Sequence, residues 1–141
     1  MLYWDSSAIV ASILNEESGV EIDNYAKSIS DSKIYTAMIT PLEIESALQR
    51  RLREQSITIK EADTGRITAT EFRKTTFLIV TDQNVLDMAL HLQKIYGLRP
   101  ADVIQLASAR IGTENPSTVH FLCLDNRLNE AAKQEGFNVP F

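Results

Sequence analysis

Four short apolar runs punctuate the chain, LYW (2–4), KIYTA (33–37), TTFLIV (75–80) and STVHFLCL (117–124), and each gives way to longer segments with apolar residues at helical spacing. Runs this apolar offer little face to water, so LYW, TTFLIV and above all STVHFLCL read as buried strands, and KIYTA as strand-like. Strands that alternate with helices pair in parallel, which predicts an α/β domain with a central parallel sheet covered by helices on both faces. The intervening helices are expected at 6–14, 19–30, 40–55, 58–73, 84–97, 100–112 and 125–136, and FNVPF (137–141) is expected to close the sheet as a final edge strand. The helix at 40–55 carries local signals: Thr40 as N-cap, Pro41 at the first helical position, Glu43 three residues after the cap, and Arg50, Arg51 and Arg53 at the dipole-matched end. Gly97 and Gly136 read as helix stops.

At 141 residues, with no repeat, linker or low-complexity tract, the chain reads as a single domain spanning 1–141. Asp5 interrupts the first apolar stretch and no basic leader precedes it, so neither a signal peptide nor a membrane span is expected and the cytoplasm is the expected compartment. The one cysteine, Cys123, excludes an intramolecular disulfide and a Cys-rich zinc site. Nineteen acids against fourteen basic residues give a net charge of −5, the wrong sign for binding nucleic acid through the overall field. Any such contact must be local or bridged by a cation.

In open parallel sheets, ligands bind beyond the carboxyl ends of the strands. Asp5 ends the first strand, Asp125 ends the most apolar one, and Glu43 opens the helix after the second. Asp102 lies in the first turn of its own helix, after Leu98-Arg99-Pro100. Each acid alone also suits a helix cap. Gathered at one edge they repel one another, and a divalent cation relieves that repulsion. Oxygen ligands without a His or Cys pattern select Mg²⁺ or Mn²⁺ over Zn²⁺, and an ion of this kind activates water for attack on a phosphodiester. Asp82 is a control, since FLIVTDQN also places an acid after a strand; Thr81 is expected to cap there, and Asp82 is left outside the site.

The segments LYWDSSAIVASIL, TPLEIESALQR, GLRPADVIQLASA and FLCLDNRLNEAAKQEGF, in that order and nearly spanning the chain, resemble the motifs of the PIN domain, above all its VapC-type branch of toxin ribonucleases. The resemblance implies a three-layer α/β/α fold around a parallel sheet of four to five strands. It carries the family's four acids onto Asp5, Glu43, Asp102 and Asp125, with Asp5 and Asp102 as direct metal ligands. Asp125 would bind directly or through water, and Glu43 would orient water or neutralise a second ion. Ser7 matches the small hydroxyl residue after the first acid. The resemblance further implies a metal-dependent endoribonuclease leaving 5′-phosphate and 3′-hydroxyl ends, a homodimer, and a cognate antitoxin covering the acidic groove. Cys123 departs from the pattern, standing where many relatives have Thr or Ser.

Arg50, Arg51 and Arg53 are candidate contacts to RNA phosphate or to an acidic antitoxin residue, and Arg127 lies nearer the presumed site, all set against the plainer reading of basic residues on solvated helix faces. His91 and His120 lack a partner at metal-ligand spacing and read as structural; Trp4 and Phe121 read as core. A receiver-like signalling domain would need a paired-acid motif at the first strand and a Lys after the last, both lacking here, and a phosphatase with Asp5 as nucleophile would need a second acid where Ser7 stands. A non-catalytic binding module using the same groove is the other alternative. A nucleophile elbow and a phosphate-binding glycine loop are both absent from the sequence.

Overall fold

A computed structural model describes residues 1–29 and 32–141. Four parallel strands, β1 (Leu2–Trp4), β2 (Ile34–Ala37), β3 (Thr76–Ile79) and β4 (His120–Leu122), form a sheet in the order β3-β2-β1-β4. Leu2 faces Ile34 on one side and His120 on the other, so β1 is central. Beyond β4 the chain end adds a single parallel bridge, His120 to Asn138, in place of the expected fifth strand; Pro140 lacks an N–H and no longer ladder forms.

The helices are α1 (Ser6–Ile13), α2 (Glu17–Ser28), α3 (Thr40–Arg53), α4 (Ile59–Lys74), α5 (Gln83–Tyr96), α6 (Pro100–Ile111) and α7 (Asn126–Gln134). All seven expected helices are present, with ends shifted by a residue or two; position 30 of the expected 19–30 helix lies outside the described residues.

Alternation along the strands sorts the core into two halves. Tyr3, Phe121 and Cys123 point to one face, where Leu92, Leu106 and Leu128 from α5, α6 and α7 pack on them. Leu2, Trp4 and Leu122 point to the other, against Ile9, Ile22 and Leu48 from α1, α2 and α3. The result is the three-layer arrangement, α on β on α. No helix among the described residues is long and apolar enough to cross a membrane.

Three local expectations are corrected. The run 75–80 is an edge strand rather than a buried one: Phe77 and Val80 are more than half exposed, because β3 has only β2 beside it. In 117–124 only His120–Leu122 is strand, since Pro116–Thr118 turns as a 3₁₀ segment capped by the Asn115 side chain. Thr40 is not the N-cap of α3, a position that falls one residue earlier at Ile39, and its hydroxyl is buried in a tertiary network instead.

Candidate active site

Asp5, Glu43, Asp102 and Asp125 all line one open depression of about 620 Å³ at the carboxyl edge of the sheet. Four separate segments deliver them. Asp5 leaves β1 in extended conformation and caps α1 by accepting from the Ser7 N–H at 2.9 Å. Asp125 does the same for α7, accepting from the Leu128 N–H at 2.9 Å. Glu43 lies in the first turn of α3 and Asp102 in the first turn of α6. Because β1 and β4 are neighbours, the residues that follow them emerge side by side. Asp82 also caps its helix, accepting from the Val85 N–H at 3.0 Å, but follows β3, two strands from β1, which puts it about 10 Å away along the sheet. Strand order, more than the acid-after-strand pattern, decides which carboxylates meet. Thr81, expected to cap α5, has its hydroxyl buried without a partner.

Asp5 is almost fully buried. Burial raises its pKa, opposed by hydrogen bonds from Ser7 and Cys123, with the Asp102 charge adding to the rise. The Ser7 hydroxyl donates to Asp5 Oδ2 at 2.5 Å and accepts from the Leu124 N–H at 3.0 Å, so it ties the first acid to the end of β4. Cys123 fills the position of the usual hydroxyl residue: its Sγ lies 3.5 Å from Asp5 Oδ2 and accepts from the Asp125 N–H at 3.2 Å. Burial pushes this thiol far up, so it stays protonated and acts as a weak donor. Glu43 is half-buried, and burial lifts its pKa to about 7 against the opposing hydrogen bond from Gln105; the Asp5 and Asp102 charges raise it further.

A family model described as PIN domain matches residues 2–134. The chain belongs to the PIN-domain family. That family is one of nucleases. Solved structures share the fold of this PIN domain at low identity. FitAcB from Neisseria gonorrhoeae is 15% identical with a TM-score of 0.64, the match covering 94% of each chain. VapBC2 from Rickettsia felis, bound to a DNA fragment from its promoter, is 12% identical with a TM-score of 0.62 over 93% of each chain. A toxin–antitoxin complex from Klebsiella pneumoniae is 13% identical with a TM-score of 0.61, over 89% of this chain and 87% of that one. No curated protein matches the chain.

The acidic set of this PIN domain is held partly in balance by its own cation. Arg99 Nε donates to Asp102 Oδ2 at 2.9 Å, and its Nη2 reaches Asp125 Oδ2 at 3.3 Å. The side chain is 71% exposed, so it spans the two acids from the solvent side. Among the described residues no three His, Cys, Asp or Glu side chains already form a group able to hold a metal ion. The donors lining the depression are nevertheless carboxylate oxygens on two sides of an exposed, displaceable guanidinium. That set suits a hard divalent cation.

Of the basic candidates, Arg50 and Arg51 line the depression, with Arg51 paired to Glu16, whereas Arg53 is not part of its wall. Arg127 stands in an adjoining hollow with Arg99, Asp102 and Asp125, and donates to the Gly97 carbonyl at 3.2 Å. His91 is exposed on α5, and His120 contacts the Tyr25 hydroxyl at 2.7 Å, away from the acids. Trp4 and Phe121 are core, as their strand positions suggest. Two residues that sequence reading passed over belong to the site: Arg99 and Gln105, the latter fully buried and bonded to Glu43. The available signal for Gln105 was a polar side chain one turn past Asp102, on the helix face it shares with Ser108 and Ala109.

Proposed function

We propose that this PIN domain is a divalent-metal-dependent endoribonuclease, the toxin of a toxin–antitoxin pair, cutting RNA to 5′-phosphate and 3′-hydroxyl ends. The observation that carries this reading is the lining of a single depression by Asp5, Glu43, Asp102 and Asp125, which come from four separate segments. Asp5, Asp102 and Asp125 would hold Mg²⁺ or Mn²⁺, with Glu43 at the rim of the same set. Bound there, the ion would supply an acidified water and charge neutralisation at the phosphate.

The chain's own groups divide the remaining work. Ser7 and Cys123 fix Asp5 so that its free oxygen keeps one orientation. Glu43, titrating at about 7, is suited to accept a proton from water at neutral pH. Arg50 on the wall supplies bidentate donors of the kind that fit phosphate, beside Arg51, which is paired to Glu16. With a net charge of −5, approach of RNA relies on this local patch, so binding should weaken steeply with salt.

Antitoxin pairing is supported by the company of the fold, since the Klebsiella pneumoniae neighbour is a toxin–antitoxin complex. An antitoxin segment carrying basic side chains would complement the acids that Arg99 now spans. A homodimer is part of the same proposal. The decisive experiment incubates purified protein with RNA in Mn²⁺ or Mg²⁺ and in EDTA, beside Asp5→Asn and Asp102→Asn. Cleavage that needs metal and is lost in both folded variants supports the reading; retained cleavage by both overturns it. Absence of Mn²⁺ binding by calorimetry would favour a non-catalytic groove.

A further inference from the structure

Gln105 is a fully buried amide in contact with Glu43, and both of its polar atoms are engaged. Its Nε2 donates to Glu43 Oε2 at 2.5 Å and to Thr40 Oγ1 at 2.9 Å. Its Oε1 accepts from the Tyr3 hydroxyl at 2.7 Å. With Nε2 turned to Glu43 and Thr40 and Oε1 turned to Tyr3, the amide presents a donor to the Glu43 carboxylate, which as an ion can only accept. The donors then run in one direction: the Thr40 hydroxyl donates to the Thr36 hydroxyl oxygen at 2.7 Å, and Thr36 donates to the Trp4 carbonyl at 2.6 Å. That carbonyl belongs to the residue before Asp5. The network thus joins β1, β2, α3 and α6 beneath the depression, with Tyr3 locked in turn by stacking on Phe121 at 5.2 Å.

We infer that Gln105 is a positioning residue for Glu43, clamping one carboxylate oxygen from below so that the other faces the depression. Packing alone does not require it, since a leucine-sized side chain fills such a core position without burying an amide. An amide that must find three partners fixes the carboxylate's rotation, which an apolar neighbour leaves free. The inference rests on the nuclease reading for what Glu43 does, and on the hydrogen bonds alone for how it is held.

The test uses Gln105→Met, which keeps the length and loses the donors, and Tyr3→Phe, which leaves the amide but removes its anchor. Steady-state RNA cleavage in Mn²⁺ should show kcat lower by roughly 10- to 100-fold in Gln105→Met, with KM little changed, and a smaller loss in Tyr3→Phe. By nuclear magnetic resonance, the carboxamide protons missing from Gln105→Met should exchange slowly in wild-type protein and shift in Glu43→Gln. Wild-type kcat in folded Gln105→Met, whatever its melting temperature, overturns the positioning role alone, as does an unshifted carboxamide in Glu43→Gln. If Gln105→Met does not fold, Tyr3→Phe carries the kinetic readout with the same two outcomes. Wild-type protein inert toward RNA overturns the nuclease reading and this role with it.

Discussion

Replacing Glu43 with Gln should make the metal-free protein more stable above neutral pH while removing its activity. Glu43 titrates at about 7 in the fold against an ordinary value of 4.5, chiefly because burial disfavours its charged form. A carboxyl whose folded pKa is raised keeps its proton more tightly in the native state. The penalty is therefore absent below about pH 4.5, grows between 4.5 and 7, and is complete above 7. The full shift corresponds to about 3 kcal/mol; with the side chain only half-buried, solvent screening reduces it to roughly 1–2 kcal/mol. The substituted amide keeps an acceptor for Gln105 Nε2 and carries no charge. Urea unfolding in EDTA should give equal stabilities for wild type and Glu43→Gln at pH 4, and a gain of about 1–2 kcal/mol for the variant at pH 8. Added Mn²⁺ should restore wild-type stability in proportion to the logarithm of its concentration. A variant no more stable than wild type at pH 8 refutes the claim that this carboxylate is held against its charge.

Other perturbations separate the parts of the site. Arg99→Gln should tighten Mn²⁺ binding by up to roughly fivefold in calorimetry, because an exposed ion pair of at most about 1 kcal/mol no longer competes. Arg127→Gln, which removes the same charge from the same hollow without touching either acid, should change it less; equal effects would reduce Arg99 to a diffuse field. Cys123→Ser should keep cleavage near the wild-type rate, since a hydroxyl can donate to Asp5 and accept from the Asp125 N–H as the thiol does. Gly19→Ala should destabilise the fold by about 1–3 kcal/mol in urea, because the added Cβ would overlap the Ala11 carbonyl oxygen where α2 crosses α1.

The layers and helices were legible because apolar periodicity reports burial directly, and here each helix buries the stripe its spacing announces, as with Ile9 and Ile13 on α1. That the four acids line one depression follows from chain direction and the position of each beside a strand or helix start, although among the described residues no three of them close into a metal-holding group. What periodicity could not supply was strand order. The run TTFLIV looked as buried as its neighbours, yet at the edge it leaves Phe77 exposed, and the same displacement takes Asp82 out of the site. Thr40 misled for a related reason: a hydroxyl before Pro41 is a good local cap, but Gln105 and Thr36 are partners that lie far off or across a turn, and they win. Arg99 reads as an ordinary connection residue until Asp125 is folded against it from 26 positions away.

Capping alone does not account for this arrangement. Thr58 caps α4 with a hydroxyl accepting from the Glu61 N–H, so a neutral side chain meets that need elsewhere in the same fold. At β1, a carboxylate does the capping and is at the same time buried, with a raised pKa and another acid's charge adding to the rise. Ser7, Cys123 and Gln105 then commit hydrogen bonds to keeping the ionised forms of Asp5 and Glu43 tolerable. A fold under selection for stability alone would replace such acids with Ser or Thr at no loss of helix capping. Their presence beside an exposed Arg99 is the arrangement expected where a stronger cation has to enter and leave. Substituting Asp5 by Ser is accordingly expected to preserve the α1 cap and leave apo stability equal or higher, while abolishing Mn²⁺ binding. A large loss of apo stability would instead assign Asp5 to the scaffold.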